Sequence, residues 1–219
     1  MATLDRLAGG RLVVGLGSGF TDPQTERQFT AVGVPFRGRG GRLTETITVL
    51  RALWSGATSH QGRHFTFHDV TPAPKPHTPG GPPIWLAGTG AAAERRVGEL
   101  ADGWLPYLPT VDGYRASLSH VEHAAAQAGR PTPTPALYAT AAIDKSEDAA
   151  HQRLRTVVEQ WYGYPFEAVS TLQAMYAGTL PGLRAWLAPY LEAGVRHVVL
   201  RVADPHPRRG LDAVAALLA

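Results

Sequence analysis

The chain has no cysteine. That excludes disulfides, cysteine-ligated zinc and iron–sulfur sites, and thiol catalysis. Lysine is almost missing as well: Lys75 and Lys145 are the only two, so arginine carries the positive charge. Charged residues of both signs make up only 18% of the chain, and the net charge of +3 is a small excess. No dense basic run exists beyond Arg208-Arg209, which argues against nucleic-acid binding. No run of about 18 apolar residues is present, so no segment reads as a membrane span. Met1 to Arg6 lacks the hydrophobic centre of a secretion signal. These absences predict a cytoplasmic protein with no membrane or nucleic-acid partner.

What the sequence has in abundance is turn formers. Among 219 residues there are 24 glycines and 18 prolines, well above the usual share of about 12%. With 44% hydrophobic residues the chain can fill a core. Short apolar runs alternate with helical stretches. Residues 11–16, 84–87, 103–107, 136–143 and 197–202 read as buried strands. Residues 42–54, 91–101, 111–128, 146–161, 181–193 and 210–218 read as helices. Ser146 is placed to cap one of them and Gly129 and Gly194 to end two others. Residues 58–70 read as a loop or hairpin turning at Gly62-Arg63. The aromatic loop from Trp161 through Tyr162 and Tyr164 to Phe166 leads into a further helical stretch. This alternation predicts an α/β fold with a largely parallel sheet, in one domain over 1–219. Five strands suit an open doubly wound sheet or part of an eight-stranded barrel, and the pattern does not choose.

Two glycine-rich loops follow strands. Gly15 to Gly19 superficially matches a dinucleotide fingerprint, but Phe20 stands where the third glycine belongs. A structural turn or a loop lying against a cofactor fits better. Gly88-Thr89-Gly90 sits between a strand and a helix. It reads equally as a phosphate loop at a helix N-terminus or as an ordinary turn capped by Thr89. His60, His64 and His68 recur every fourth residue but span the expected turn with no carboxylate cluster. They read as exposed hairpin residues rather than metal ligands. His197 reads as structural. Asp102-Gly103-Trp104 would set the start of a strand at the end opposite an α/β active site. The aromatics Trp161, Tyr162, Tyr164 and Phe166 read as either pocket or core.

Several segments together resemble the luciferase-like flavin- or deazaflavin-dependent oxidoreductases. Leu4-Asp5-Arg6-Leu7, Gly9-Gly10-Arg11 and the run into Ser18-Gly19 look like that family's fourth barrel strand and its approach. Arg39-Gly40, Arg42-Leu43, Glu45 and Leu50 to Trp54 are similar to its next helix. Pro82-Pro83-Ile84-Trp85 fits the fifth strand, Ala101-Asp102-Gly103-Trp104 the sixth and His197 to Leu200 the eighth. The resemblance covers essentially the whole chain and rests on the order and spacing of its parts.

That resemblance implies a TIM (β/α)8 barrel of the bacterial-luciferase type, here incomplete, with about strands 4–8. It implies FMN or a deazaflavin (coenzyme F420) as cofactor, lying across the carboxyl ends of the strands. Ser18 and Gly19 would approach the ring or substrate. Gly88, Thr89 and Gly90 would hold the cofactor phosphate, with Ala91 and Ala92 at the helix start. The activity implied is oxidoreductase or monooxygenase chemistry on a small organic substrate, by hydride transfer or oxygen activation, in a possible homodimer. No catalytic residue carries over. Some deazaflavin-dependent relatives place a proton-accepting Glu after the fourth-strand loop, where this chain has Phe20. Strands one to three have no counterpart here, so the chain is expected to be a fragment. The alternative is a non-catalytic cofactor-binding or assembly protein whose sheet a partner completes.

Overall fold

The computed structural model describes residues 1–205 and 214–215. Apart from residues 214–215, the helix expected over 210–218 lies outside the described residues. The chain opens with helix α1 (Ala2–Leu7) and strand β1 (Val14–Leu16). Helices α2 (Pro23–Ala31) and α3 (Arg39–Trp54) follow, then a hairpin of β2 (His60–Gln61) and β3 (Thr66–Phe67). Next come β4 (Ile84–Leu86), α4 (Ala91–Leu100), β5 (Gly103–Trp104), α5 (Val111–Gln127) and β6 (Thr134–Ile143). The last described elements are α6 (Glu147–Tyr162), α7 (Phe166–Ser170), β7 (Ala174–Gly178), α8 (Leu180–Glu192) and β8 (His197–Val202).

The main sheet is parallel and has six strands, paired in the order β1-β4-β5-β6, with both β7 and β8 on β6. Its register decides which side chains share a face. Gly15, Trp85, Gly103 and Thr134 lie in one row. Tyr138 pairs with Val199 and Thr140 with Arg201. Because side chains alternate along a strand, these residues point to one face and their neighbours to the other. The neighbours Val14, Ile84, Leu86, Trp104 and Leu137 pack with Ile47 of α3, Val97 of α4, Tyr114 and Val121 of α5 and Tyr190 of α8. The helices therefore cover the outer face. On the inner face Trp85 fills the space a side chain at Gly103 would need and meets His197 edge-on at 4.9 Å.

Local chemistry explains the helix starts. Asp22, Thr110, Ser146 and Thr179 each accept a backbone N–H from the first turn of α2, α5, α6 and α8. Each such cap contributes about 1 kcal/mol.

The helical stretch expected after the aromatic loop is the short α7, and strand β7 beyond it was not expected from the sequence. Ala174, Met175 and Ala177 are helix formers, and five residues carry too little pattern to oppose that. Pairing with β6 decides the matter. β6 outlasts its neighbours: its last five residues pair with β7 while β8 runs along its other edge. Leu154, Val157 and Val158 of α6 pack on Ala142, Met175 and Ala177 in a second cluster. The register puts those three on the inner face. The unit α6-α7-β7 thus folds over the carboxyl end of the sheet.

Candidate functional site

The loops after β1 and β4 lie side by side, joined by the Ala87 N–H donating to the Leu16 carbonyl at 3.1 Å. Between them opens a cleft of about 410 Å3. Ser18 lines it from the first loop and Thr89, Gly90, Ala91 and Ala92 from the second. Gly19 and Gly88, also expected at the site, are not part of its lining. A Cβ on Gly19 would approach Thr25 Cγ2 to 2.7 Å, and one on Gly88 would approach the Ala93 Cβ to 3.0 Å. The Gly88 carbonyl accepts the Trp104 indole N–H at 3.0 Å. Gly88 and Gly90 have φ of 121° and 87°, a region glycine reaches without strain. α4 starts immediately after Gly90, and the N–H groups of Ala91 and Ala92 have no acceptor among the described residues. Such first-turn donors, with the helix dipole behind them, favour an anion.

Arginines that sequence reasoning did not place in the site complete the cleft. Arg39, in the first turn of α3, donates from Nη2 to Thr21 at 2.8 Å and stacks on the Phe36 ring at 3.9 Å. Its Nε is buried with no acceptor among the described residues. Arg96 donates from Nε to Thr44 at 2.9 Å. Burial pulls the Arg96 guanidinium below its usual range, though arginine stays charged. A Cβ on Gly40 would come within 2.9 Å of Arg96 Nη2, so that glycine makes room for the guanidinium. Two guanidinium groups, an orphaned buried N–H and two free helix donors fit a phosphate. The signal for Arg39 and Arg96 was absent locally, since they stand 57 residues apart in sequence and meet only through the packing of α3 on α4.

Behind the cleft lies a buried carboxylate. Glu94 is 3% exposed. One of its oxygens accepts the Gly90 N–H at 3.0 Å, and the other lies 3.0 Å from His120 Nδ1 on α5. It holds the loop in shape and takes the Gly90 donor out of the cleft.

A cluster of aromatic side chains near the carboxyl ends of the strands, the aromatic mouth, lies outside the lining of that cleft. Tyr107, past the end of β5, sits between Phe20 at 5.7 Å and Tyr138 at 4.9 Å. Burial pushes its phenol up to about 12; the neighbouring Tyr138 and Tyr162 add to this, and Arg201 opposes it. Arg201, on the inner face of β8, stacks 3.4 Å over Trp161 and donates to the Tyr162 hydroxyl at 3.2 Å. Of the four aromatics considered from sequence, Trp161 and Tyr162 reach the mouth. Both also pack, like Phe166, against the second core cluster, and Tyr164 is 53% exposed.

The remaining candidates take structural roles. His60 and His64 flank the expected hairpin turn and are partly buried rather than exposed. Glu45 accepts the backbone N–H groups of His64 and Phe65 and faces His60 Nε2. No group of histidines and acids suited to a metal exists among the described residues. Asp102 works at the amino end of the strands, as its position predicts: it accepts the Ile84 N–H at 2.9 Å and pairs with Arg51 and Arg130. No described helix is long and apolar enough to cross a membrane.

The cleft thus opens at the carboxyl ends of parallel strands. Residues 1–200 match the luciferase-like monooxygenase family, and the chain belongs to it. The F420-dependent glucose-6-phosphate dehydrogenase of Kineococcus radiotolerans is 34% identical over 108 residues, 48% of this chain and 30% of that enzyme. The FMNH2-dependent dimethylsulfone monooxygenase of Pseudomonas putida is 29% identical over 133 residues, 59% of this chain and 36% of its own length. The chain thus spans about a third of these two curated relatives. The crystal structure of monooxygenase RslO1 from Streptomyces bottropensis superposes with a TM-score of 0.81 at 21% identity, covering 98% of this chain and 70% of that one. The fold is an incomplete (β/α)8 barrel of the bacterial-luciferase type.

Proposed function

We propose that this chain carries the cofactor-phosphate side and part of the substrate mouth of an oxidoreductase or monooxygenase that uses FMN or coenzyme F420. The observation that carries the reading is the convergence of Ser18, Thr89, Ala91, Ala92, Arg39 and Arg96 on one cleft at the carboxyl ends of β1 and β4. Relatives named for both cofactors support it. Either cofactor, when bound, supplies the redox chemistry, hydride transfer or activation of oxygen.

The residues have separable tasks. Ala91 and Ala92 donate backbone N–H groups to the phosphate, with Thr89 and Ser18 adding hydroxyls. Arg39 and Arg96 offset its charge. Gly90 keeps the surface open, since nothing lies within 4 Å of where its Cβ would be. Ser18 would face the rest of the cofactor from the β1 loop. In the aromatic mouth Phe20, Tyr107 and Tyr138 exclude water on one side, and Trp161 covers it from α6. Tyr107 keeps its proton through neutral pH and serves as a hydrogen-bond donor, not a base.

The Ala91→Asp variant tests the reading. Aspartate in the first turn suits the helix dipole, so folding is unharmed. Its carboxylate stands where the phosphate would sit. Affinity for FMN or F420, whichever the wild type binds, drops at least about tenfold, as expected for a repelled anion near a desolvated site. Unchanged affinity in a folded variant sinks the assignment.

A further inference from the structure

Among the described residues Arg201 is held in place but has no acidic partner. It projects from the inner face of β8, in register with Thr140, and is half-buried. Its guanidinium carbon lies 3.4 Å over the Trp161 ring. No carboxylate among the described residues pairs with it. Stacking occupies the face of a guanidinium and leaves its edge, where every N–H points, free to donate. Among the described residues one edge donor, Nη1, is engaged, by Tyr162 at 3.2 Å.

Tyr162 is itself fixed by a chain of bonds. The Thr140 hydroxyl donates to Gln173 Oε1 at 2.8 Å, and Gln173 Nε2 donates to the Tyr162 oxygen at 3.0 Å. Thr140 and Gln173 are 0% and 2% exposed. The Tyr162 oxygen accepts from both Gln173 and Arg201, so its own O–H must donate elsewhere. No acceptor for it exists among the described residues. A cation edge and a hydroxyl proton therefore address the same space. Two buried polar side chains do nothing evident except hold that arrangement. Tyr107 lies within electrostatic reach of both Arg201 and Tyr162 and packs on Tyr138 and Phe20, while Trp161 stacks on the guanidinium.

We propose that Arg201 and Tyr162 form an oxyanion subsite, opposite the phosphate cleft, that selects a small planar carboxylate such as an aromatic or conjugated acid as substrate. The guanidinium edge takes the two carboxylate oxygens in its plane, and Tyr162 adds a third bond. The ring of the acid lies along Tyr107. This names a substrate class for the site proposed above and rests on that reading for its catalytic meaning, but the binding event itself needs no cofactor.

The test is a titration of the purified protein with benzoate at fixed ionic strength, followed by tryptophan fluorescence, since Trp161 reports on its own partner. Benzoate binds, and the neutral isostere benzamide binds at least about tenfold more weakly, as a charge-assisted pair requires. Inorganic phosphate at the same concentration competes poorly. Arg201→Gln loses benzoate by about ten- to a hundredfold, and Arg201→Lys recovers only part, because lysine has no planar fork. Tyr162→Phe, which deletes only a hydroxyl, weakens benzoate and decides the matter if Arg201→Gln does not fold. Ala91→Asp leaves benzoate binding unchanged, which separates this proposal from the cofactor assignment. Equal binding of benzoate and benzamide, phosphate competing as well as benzoate, or full affinity in a folded Arg201→Gln or Tyr162→Phe variant overturns it.

Discussion

Glu94 reaches back one turn of α4 to accept the backbone N–H of Gly90 at 3.0 Å. The contact joins a nearly inaccessible carboxylate to a glycine that lines the cleft. Replacing Glu94 by Ala leaves a buried donor unpaired and a void beside it. The expected loss is about 1–3 kcal/mol in urea unfolding, with weaker FMN or F420 binding because the loop frays. Glu94→Gln keeps an acceptor for Gly90 and removes a negative charge from beneath the anion. It retains most of the stability and binds the cofactor at least as well as wild type.

Asp102 gives the opposite pattern. It fastens Ile84, Arg51 and Arg130 at the amino ends of the strands, far from the cleft. Its side chain is 39% exposed, so solvent screens much of the ion pairing. Asp102→Ala costs about 1–2 kcal/mol, chiefly through the unpaired Ile84 N–H. Cofactor affinity measured below the unfolding transition stays at the wild-type value.

How far the sequence reached can be traced through particular residues. The strand at 197–202 and the cap at Ser146 were legible because β-branched runs and N-cap chemistry are local signals. The strand-to-helix loop Gly88-Thr89-Gly90 was legible as a turn between β4 and α4, and Thr89 and Gly90 of that trio line the cleft. Helix α2 went unread even though Asp22-Pro23 is a cap followed by a first-turn proline, a recognisable start. Strand β7 and the positions of Arg39, Arg96 and Arg201 were not legible. Each depends on what another segment brings beside it, and no spacing within its own segment records that. Arg201 in particular reads as one polar residue in an apolar strand until the register with Thr140 assigns it to the inner face.

Tyr107 predicts a pH dependence. Its phenol is raised from 10.0 to about 12, first by burial. A group whose folded pKa is raised binds its proton more tightly when folded, so its contribution to stability is complete below pH 10. That contribution is lost as pH rises toward 12. In Tyr107→Phe this component is gone. Thermal unfolding followed from pH 9 upward shows a shallower fall of Tm across that window than in wild type. An identical slope in the two proteins refutes the environment assigned to Tyr107.

The central claim is that the cleft beside Ala91 recognises a phosphate. Calorimetric titration of FMN against riboflavin, and of F420 against its phosphate-free deazaflavin, measures this directly, because each pair differs at the end that reaches the cleft. The account predicts that in at least one pair the phosphorylated form binds tenfold or more tighter, about 1.4 kcal/mol. It further predicts that the advantage collapses in the Arg39→Gln, Arg96→Gln double variant. No preference for the phosphorylated form in either pair, or a preference that survives the double substitution, contradicts it.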